Sequence, residues 1–218
     1  MLTPAMIDLL LEAFWQTLAM VGIAGGIATA VGLPLGLVLL TTAPGHLFAA
    51  PWANRVLGLV VNSLRSTPFI ILMVAIVPLT RVLVGTSIGT EAAIVPLAIA
   101  ATAFIARLFE AALREVDRGL IEAAQAMGAT RLQIVAKVLI PEALPGLIAA
   151  VTITLVSLVG YSAMAGAVGG GGLGDLGIRF GYQRFMPEVM AIVVVALILF
   201  VQAVQSAGDL LVRRLSHR

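Results

Sequence analysis

The feature that most constrains this chain is a series of five apolar stretches, Phe14 to Leu40, Val56 to Leu79, Ala92 to Phe109, Ala143 to Val168 and Val189 to Val212. Each approaches or exceeds the roughly 20 residues a helix needs to cross a hydrocarbon core about 30 Å thick. A segment in hydrocarbon has no water to satisfy its N–H and C=O groups, so each stretch is expected to be a helix. Apolar residues make up 61% of the sequence and charged residues 11%, far from the half and quarter usual in soluble domains. The expectation is an all-α integral membrane protein, with residues 1–218 forming one transmembrane domain of five spans. The first dozen residues carry Asp8 and Glu12 and no Lys or Arg, unlike a cleavable leader with its positive start, so the first span is expected to be retained.

The basic residues set an orientation. With an odd number of spans, the N-terminus, residues 80–91 and residues 169–188 share one side and hold Arg81, Arg179 and Arg184. The other side holds nine: Arg55, Arg107, Arg114, Arg118, Arg131, Lys137, Arg213, Arg214 and Arg218. The positive-inside bias then puts the N-terminus outside and the C-terminus in the cytoplasm. A net charge of +2 gives no reason to expect a nucleic-acid partner. The absence of cysteine excludes disulfides, thiolate metal sites and cysteine nucleophiles.

In the first span Gly22 and Gly26, then Gly32 and Gly36, have the spacing that lets another helix approach closely, and Pro34 is expected to kink it. No internal repeat is visible, which argues against fused inverted halves. With five helices, a route wide enough for a solute calls for a second copy of the chain.

The longest and most charged connection runs from about residue 110 to 142. Within it Ala123, Ala124, Ala126, Gly128 and Ala129 carry almost no side-chain bulk, so a short helix here can take a partner close to its backbone. Glu122, after Gly119, is placed near the helix start, where a carboxylate meets the positive end of the dipole. Gly128, following Met127, can end the helix in a left-handed cap. Pro141 and Pro145 mark the return into the membrane.

The pattern Glu122-Ala123-Ala124, Gly128 four residues on, then Val138-Leu139-Ile140-Pro141 resembles the EAA loop of bacterial ABC importer permeases, with Val138 and Ile140 in place of the usual Ile and Leu. The stretches Leu64–Leu72, Val84–Gly89 and Leu158–Gly169 are similar to the methionine-importer permeases, and the similarity extends from about Thr17 to Gly208. The resemblance implies a type I importer fold in the bacterial inner membrane. It also implies a complex of two permeases, two cytoplasmic ATPase subunits and an external methionine-binding lipoprotein. In it the residues Glu122, Ala123, Ala124, Met127, Gly128 and Pro141 dock and couple the ATPase. The chain itself is then non-catalytic and carries no cofactor, ATP and Mg belonging to the ATPase. The sequence agrees: a phosphate-binding loop needs a Lys before Ser or Thr, and the single lysine, Lys137, lies between Ala136 and Val138. The run Gly169–Gly174, outside the membrane in this topology, reads as a flexible or tightly turning loop rather than a nucleotide site.

Thr154, Ser157, Tyr161 and Met164 share one helix face. That face either lines a solute pathway, with Met164 offering a thioether contact and Tyr161 a gate, or carries hydroxyls bonded to their own helix and side chains filling core gaps. Arg65 lies nine residues into the second span, roughly 14 Å along a helix. It is expected either beside a wet pathway with Asn62, Ser63, Ser66 and Thr67, or at the interface if the helix starts later. Glu110, Arg114, Glu115 and Arg118 have ion-pair spacings and read as a solvated face. His46 and His217 are isolated and suggest no metal site. The leading function is a permease subunit importing methionine, D or L. Another amino acid or small solute is the alternative, and an intramembrane enzyme or scaffold a distant one, for which the spans offer no catalytic pair.

Overall fold

The computed structural model describes residues 4–215; the readings on His217 and Arg218 fall outside them. Helix α1 (Pro4–Thr41) starts ten residues before the expected span and continues through Pro34. Helices α2 (Pro51–Ser66), α3 (Phe69–Ala75) and α4 (Val77–Val84) replace the expected second span. A single straight span is ruled out by Pro68, which excludes the helical region for its predecessor. Thr67 is extended at φ −79° and ψ 126°, Pro68 follows at ψ 134°, and α2 and α3 diverge by 107°. Arg65 therefore occupies the last turn of α2, not the middle of a span.

Helix α5 (Thr90–Arg114) is the central element, packed on α1, α2 and α8 (Ile140–Ala165). Its Leu97, Ala101, Ile105 and Phe109 are buried against Met20, Ala24 and Ala28 of α1 and Leu147 and Leu158 of α8. Glycine makes the α1–α5 approach possible. A Cβ at Gly36 would lie 2.8 Å from the Ala106 carbonyl oxygen and 2.8 Å from Phe109 Cβ, and one at Gly32 would overlap Ile105. Of the expected pairs only this one is in contact. Gly22 and Gly26 face open space, and Gly25 meets Leu155 instead.

Two short helices lie in the connection, α6 (Arg118–Ala126) and α7 (Arg131–Ile134). From α7 the chain passes through a π-helical turn at Val135–Leu139 directly into α8, so Pro141 opens α8 without a break. The wider turn accommodates a ring that would otherwise strike the carbonyl four residues earlier.

The glycine run turns sharply, as expected, yet is held rather than loose. After a break in which Val168 leaves helical geometry and Gly169 reaches φ +94°, α9 (Gly172–Leu176) turns back into the protein and buries Leu173 and Leu176. The Gly172 and Leu173 N–H groups donate to Gln16 Oε1 and Thr17 Oγ1 of α1 at 2.7 and 2.9 Å. A π-helical turn at Gly177–Tyr182 leads on to α10 (Pro187–Leu215), whose Gly208 lets Thr152 of α8 seat against it. Four continuous helical stretches among the described residues are long and apolar enough to cross a membrane, and the bent α2–α3 pair, taken together, has the length and apolarity of a fifth, as a broken span or a re-entrant loop.

Candidate functional site

Helix α6 is closed at both ends by its own sequence. Asp117 caps the start, its Oδ1 accepting from Gly119 N–H at 2.7 Å. Glu122 is the fifth helical residue, beyond the first turn, so Asp117 and not Glu122 faces the positive end of the dipole. At the other end Gly128 adopts φ +79°, its N–H donates to Gln125 O at 2.9 Å, and Ala129 N–H donates to Ala124 O at 3.0 Å. These are the paired bonds of a Schellman cap. Only Ala124 of the six singled-out residues is buried. Glu122, Ala123, Met127, Gly128 and Pro141 are exposed. Met127 is 82% exposed and a Cβ at Gly128 would meet nothing within 4 Å. The outer surface of α6 and its cap is thus low in bulk, with Leu120 and the flexible Met127 as its exposed large apolar side chains. Thr130 and Gln133 then form a reciprocal capping box that starts α7.

Beside α6 the loop between α1 and α2 contributes His46 to a cavity of about 300 Å³ shared with Arg118, Glu122, Gln125 and Arg131. Burial and then the Arg118 and Arg114 charges push the His46 pKa below its usual value, with Glu110 opposing. The Arg131 guanidinium lies 5.5 Å from the Phe48 ring centroid.

The expected solvated face at the end of α5 is in part buried. Glu110 is 6% exposed, with Arg107 Nη1 at 2.6 Å from its Oε2 and Arg114 Nη2 at 2.5 Å from its Oε1. Arg107 also donates from Nη2 to Gly58 O of α2 at 3.1 Å. Spacing in the sequence indicated the Glu110–Arg114 pair. Nothing local indicated that α2 would close over Arg107.

Along α8 the four singled-out residues divide. Thr154 is buried and Ser157 half-buried, and their hydroxyls donate to Ala150 O and Ile153 O at 2.8 and 2.9 Å, which is the own-helix reading. Tyr161 stacks on Phe69 of α3, centroids 4.9 Å apart and planes at 11°, while Met164 stands 49% exposed one turn before the break at Val168. Arg65, exposed, holds its guanidinium 6.0 Å from the Phe104 ring centroid. Tyr161 thus packs on α3 beside the α2–α3 bend, Met164 stands open, and Thr154 turns into the core.

A bundle of membrane-length helices, interrupted by a short, exposed helix of low bulk and by a sharp glycine turn back into the protein, has the form of a membrane transport subunit. The chain belongs to the family of binding-protein-dependent transport system inner membrane components, whose model matches residues 32–218. It is 61% identical over 211 residues to the Vibrio cholerae "Probable D-methionine transport system permease protein MetI", covering 97% of this chain and 94% of that relative. The Escherichia coli K12 D-methionine transport system permease protein MetI is 56% identical over 161 residues, 74% of each chain. An inward-facing MetNI methionine ABC transporter structure superposes with a TM-score of 0.96 at 52% identity, covering 98% of this chain and 99% of that one. An amino acid ABC transporter at 21% identity and TM-score 0.79 shares the fold. The fold is that of a type I ABC importer permease, and the chain is an inner-membrane transport permease subunit.

Proposed function

We propose that this chain is one of two identical permease subunits of an ATP-driven methionine importer. The whole chain acts as one transmembrane domain, with its N-terminus outside and its C-terminus in the cytoplasm. The observation that carries the cargo is the 52% identity over nearly the full length to the permease chain of a methionine ABC transporter. Two cytoplasmic ATPase subunits bind ATP and Mg, and an external methionine-binding lipoprotein delivers the solute.

Helix α6 seats in the ATPase, with Ala123 allowing close approach, Met127 filling an apolar recess and Glu122 offering a charge at the rim. Closure of the ATPase pair moves α6 and, through the continuous α7–α8 rod, the break above Met164. Tyr161, Met164, Ser157 and Arg65 border the route, whereas Thr154 supports it from within. D- and L-methionine are both taken as cargo.

The test is ATP-dependent uptake of labelled methionine into vesicles holding the permease, its ATPase and its binding protein, native against Gly128→Trp. Loss of uptake together with loss of ATPase association is expected. Native assembly and ATP hydrolysis without methionine uptake would redirect the cargo to another solute, and undiminished uptake in the variant would remove α6 as the docking element.

A further inference from the structure

Helix α2 has three faces. Leu57, Val61 and Leu64 pack toward α1 and α5, in the cluster with Leu35, Leu39, Ala103 and Ala106. Val56 and Val60 form an exposed apolar face that suits acyl chains. The third face is exposed and largely polar: Arg55, Asn62 and Ser66 recur at offsets of seven and four residues and so line up along one side, with the exposed Leu59 among them. Such a stripe cannot face hydrocarbon, where unsatisfied amides and charges cost several kcal/mol each, so it must meet water or protein. The exposed face of α10 shows the contrast, with Val194, Val195, Ile198 and Leu199.

A second charge joins the stripe from α5. Arg107 lies against Gly58, the position on α2 where a Cβ would come within 3.0 Å of its Nη2. Arg55 and Asn62 of the stripe, with Arg107, border an open cavity of about 660 Å³ that also receives Trp52 and Leu59. Its charge is positive: Glu110 is shared between Arg107 and Arg114, which leaves Arg55 uncompensated by any ion pair among the described residues.

We infer that the Arg55–Asn62–Ser66 face of α2, with Arg107 beside it, is a water-filled wall of the solute route that receives the carboxylate end of the cargo. The inference rests on the permease reading and adds a preference for solutes bearing a carboxylate. A positive wall in a low-dielectric surround holds a carboxylate toward itself and leaves an apolar tail to the opposite side of the route.

The chain has no cysteine, so single-cysteine variants report directly. Asn62→Cys and, as a control on the apolar face, Val60→Cys are assembled with the ATPase in lipid nanodiscs. Each is treated with anionic and cationic methanethiosulfonate reagents. Position 62 is expected to react readily, with the anionic reagent about five- to tenfold favoured after correction for its rate with free thiol, as for one or two charges about 7 Å away in water. Adding Arg55→Gln should bring that ratio toward unity. Excess methionine, and not methioninamide, should slow the labelling. Equal rates for the two reagents, a reactive position 60 beside an unreactive position 62, or spontaneous disulfides between two copies through position 62 would overturn the inference. Labelling as expected in a complex that imports no methionine would leave the wall standing and remove the cargo reading. Normal import with position 62 unreactive would do the reverse.

Discussion

The contact of α1 with α5 makes a sharp comparison between two glycines of one helix. Gly36→Ala puts a Cβ 2.8 Å from the Ala106 oxygen, 2.8 Å from Phe109 Cβ and 3.2 Å from the Glu110 nitrogen. Two of these neighbours are backbone and the third is fixed to it, so none can rotate away. Carbon contacts are comfortable near 3.5–4.0 Å, so α1 must withdraw by about 0.7 Å or deform. Overpacking of that kind costs about 1–3 kcal/mol. Gly22→Ala meets nothing within 4 Å and removes the flexibility of glycine from a helix interior, a gain of up to about 1 kcal/mol. The two variants should therefore differ by about 1–4 kcal/mol, or roughly 2–16 °C at the 2–4 °C per kcal/mol usual for chains of this size. Thermal aggregation midpoints of the purified complexes measure it. Equal midpoints, or a lower one for Gly22→Ala, would refute the assigned helix register and with it the use of glycine for close packing.

Glu110→Gln leaves Arg107 partly buried without its carboxylate and should cost about 2–4 kcal/mol, read as a lower melting midpoint. It should also free α2, giving faster proteolysis near Gly58. Gly128→Asn, whose side chain tolerates the left-handed region, should keep ATPase association, whereas Gly128→Val should weaken it through about 1–2 kcal/mol of strain on the cap. His46 has its pKa lowered in the folded chain, so its neutral form is the one folding favours. Its contribution is full above the ordinary histidine value near 6.5 and is lost as pH falls below that through the folded value. His46→Asn should flatten that part of a stability-against-pH profile. Met164→Arg should stop uptake while complex assembly, followed by co-purification, stays intact.

Much of the architecture is legible because the bilayer demands long apolar helices. The cap at Gly128 is legible because few residues but glycine end a helix left-handed. The division of α2 from α3 was also written locally, in the proline after Thr67, yet the apolar run conceals it: hydropathy is blind to a change of direction. Spacing shows that Gly22–Gly26 and Gly32–Gly36 are each one-sided, but which side meets a neighbour depends on where α5 and α8 lie. The same limit applies to Arg107, whose partner in α2 is 49 residues distant. Thr154 shares a helix face with Met164, but neighbouring elements bury one and leave the other open.

The continuous helical path from Arg131 through the wide turn to Ala165, ahead of the break at Val168, makes a rod about 50 Å long at 1.5 Å per residue. On a lever of that length a tilt of about 5° moves one end relative to the other by roughly 4 Å, most of one helical turn. A movement imposed beside α6 thus arrives at the far break already large, with no chain of side-chain rearrangements to amplify it. The wide turn at Val135–Leu139, with Pro145 one turn into α8, is where the near end of such a rod can yield. Under the proposed coupling, stiffening or shortening that turn should change the stroke and leave both ends of the rod as they are.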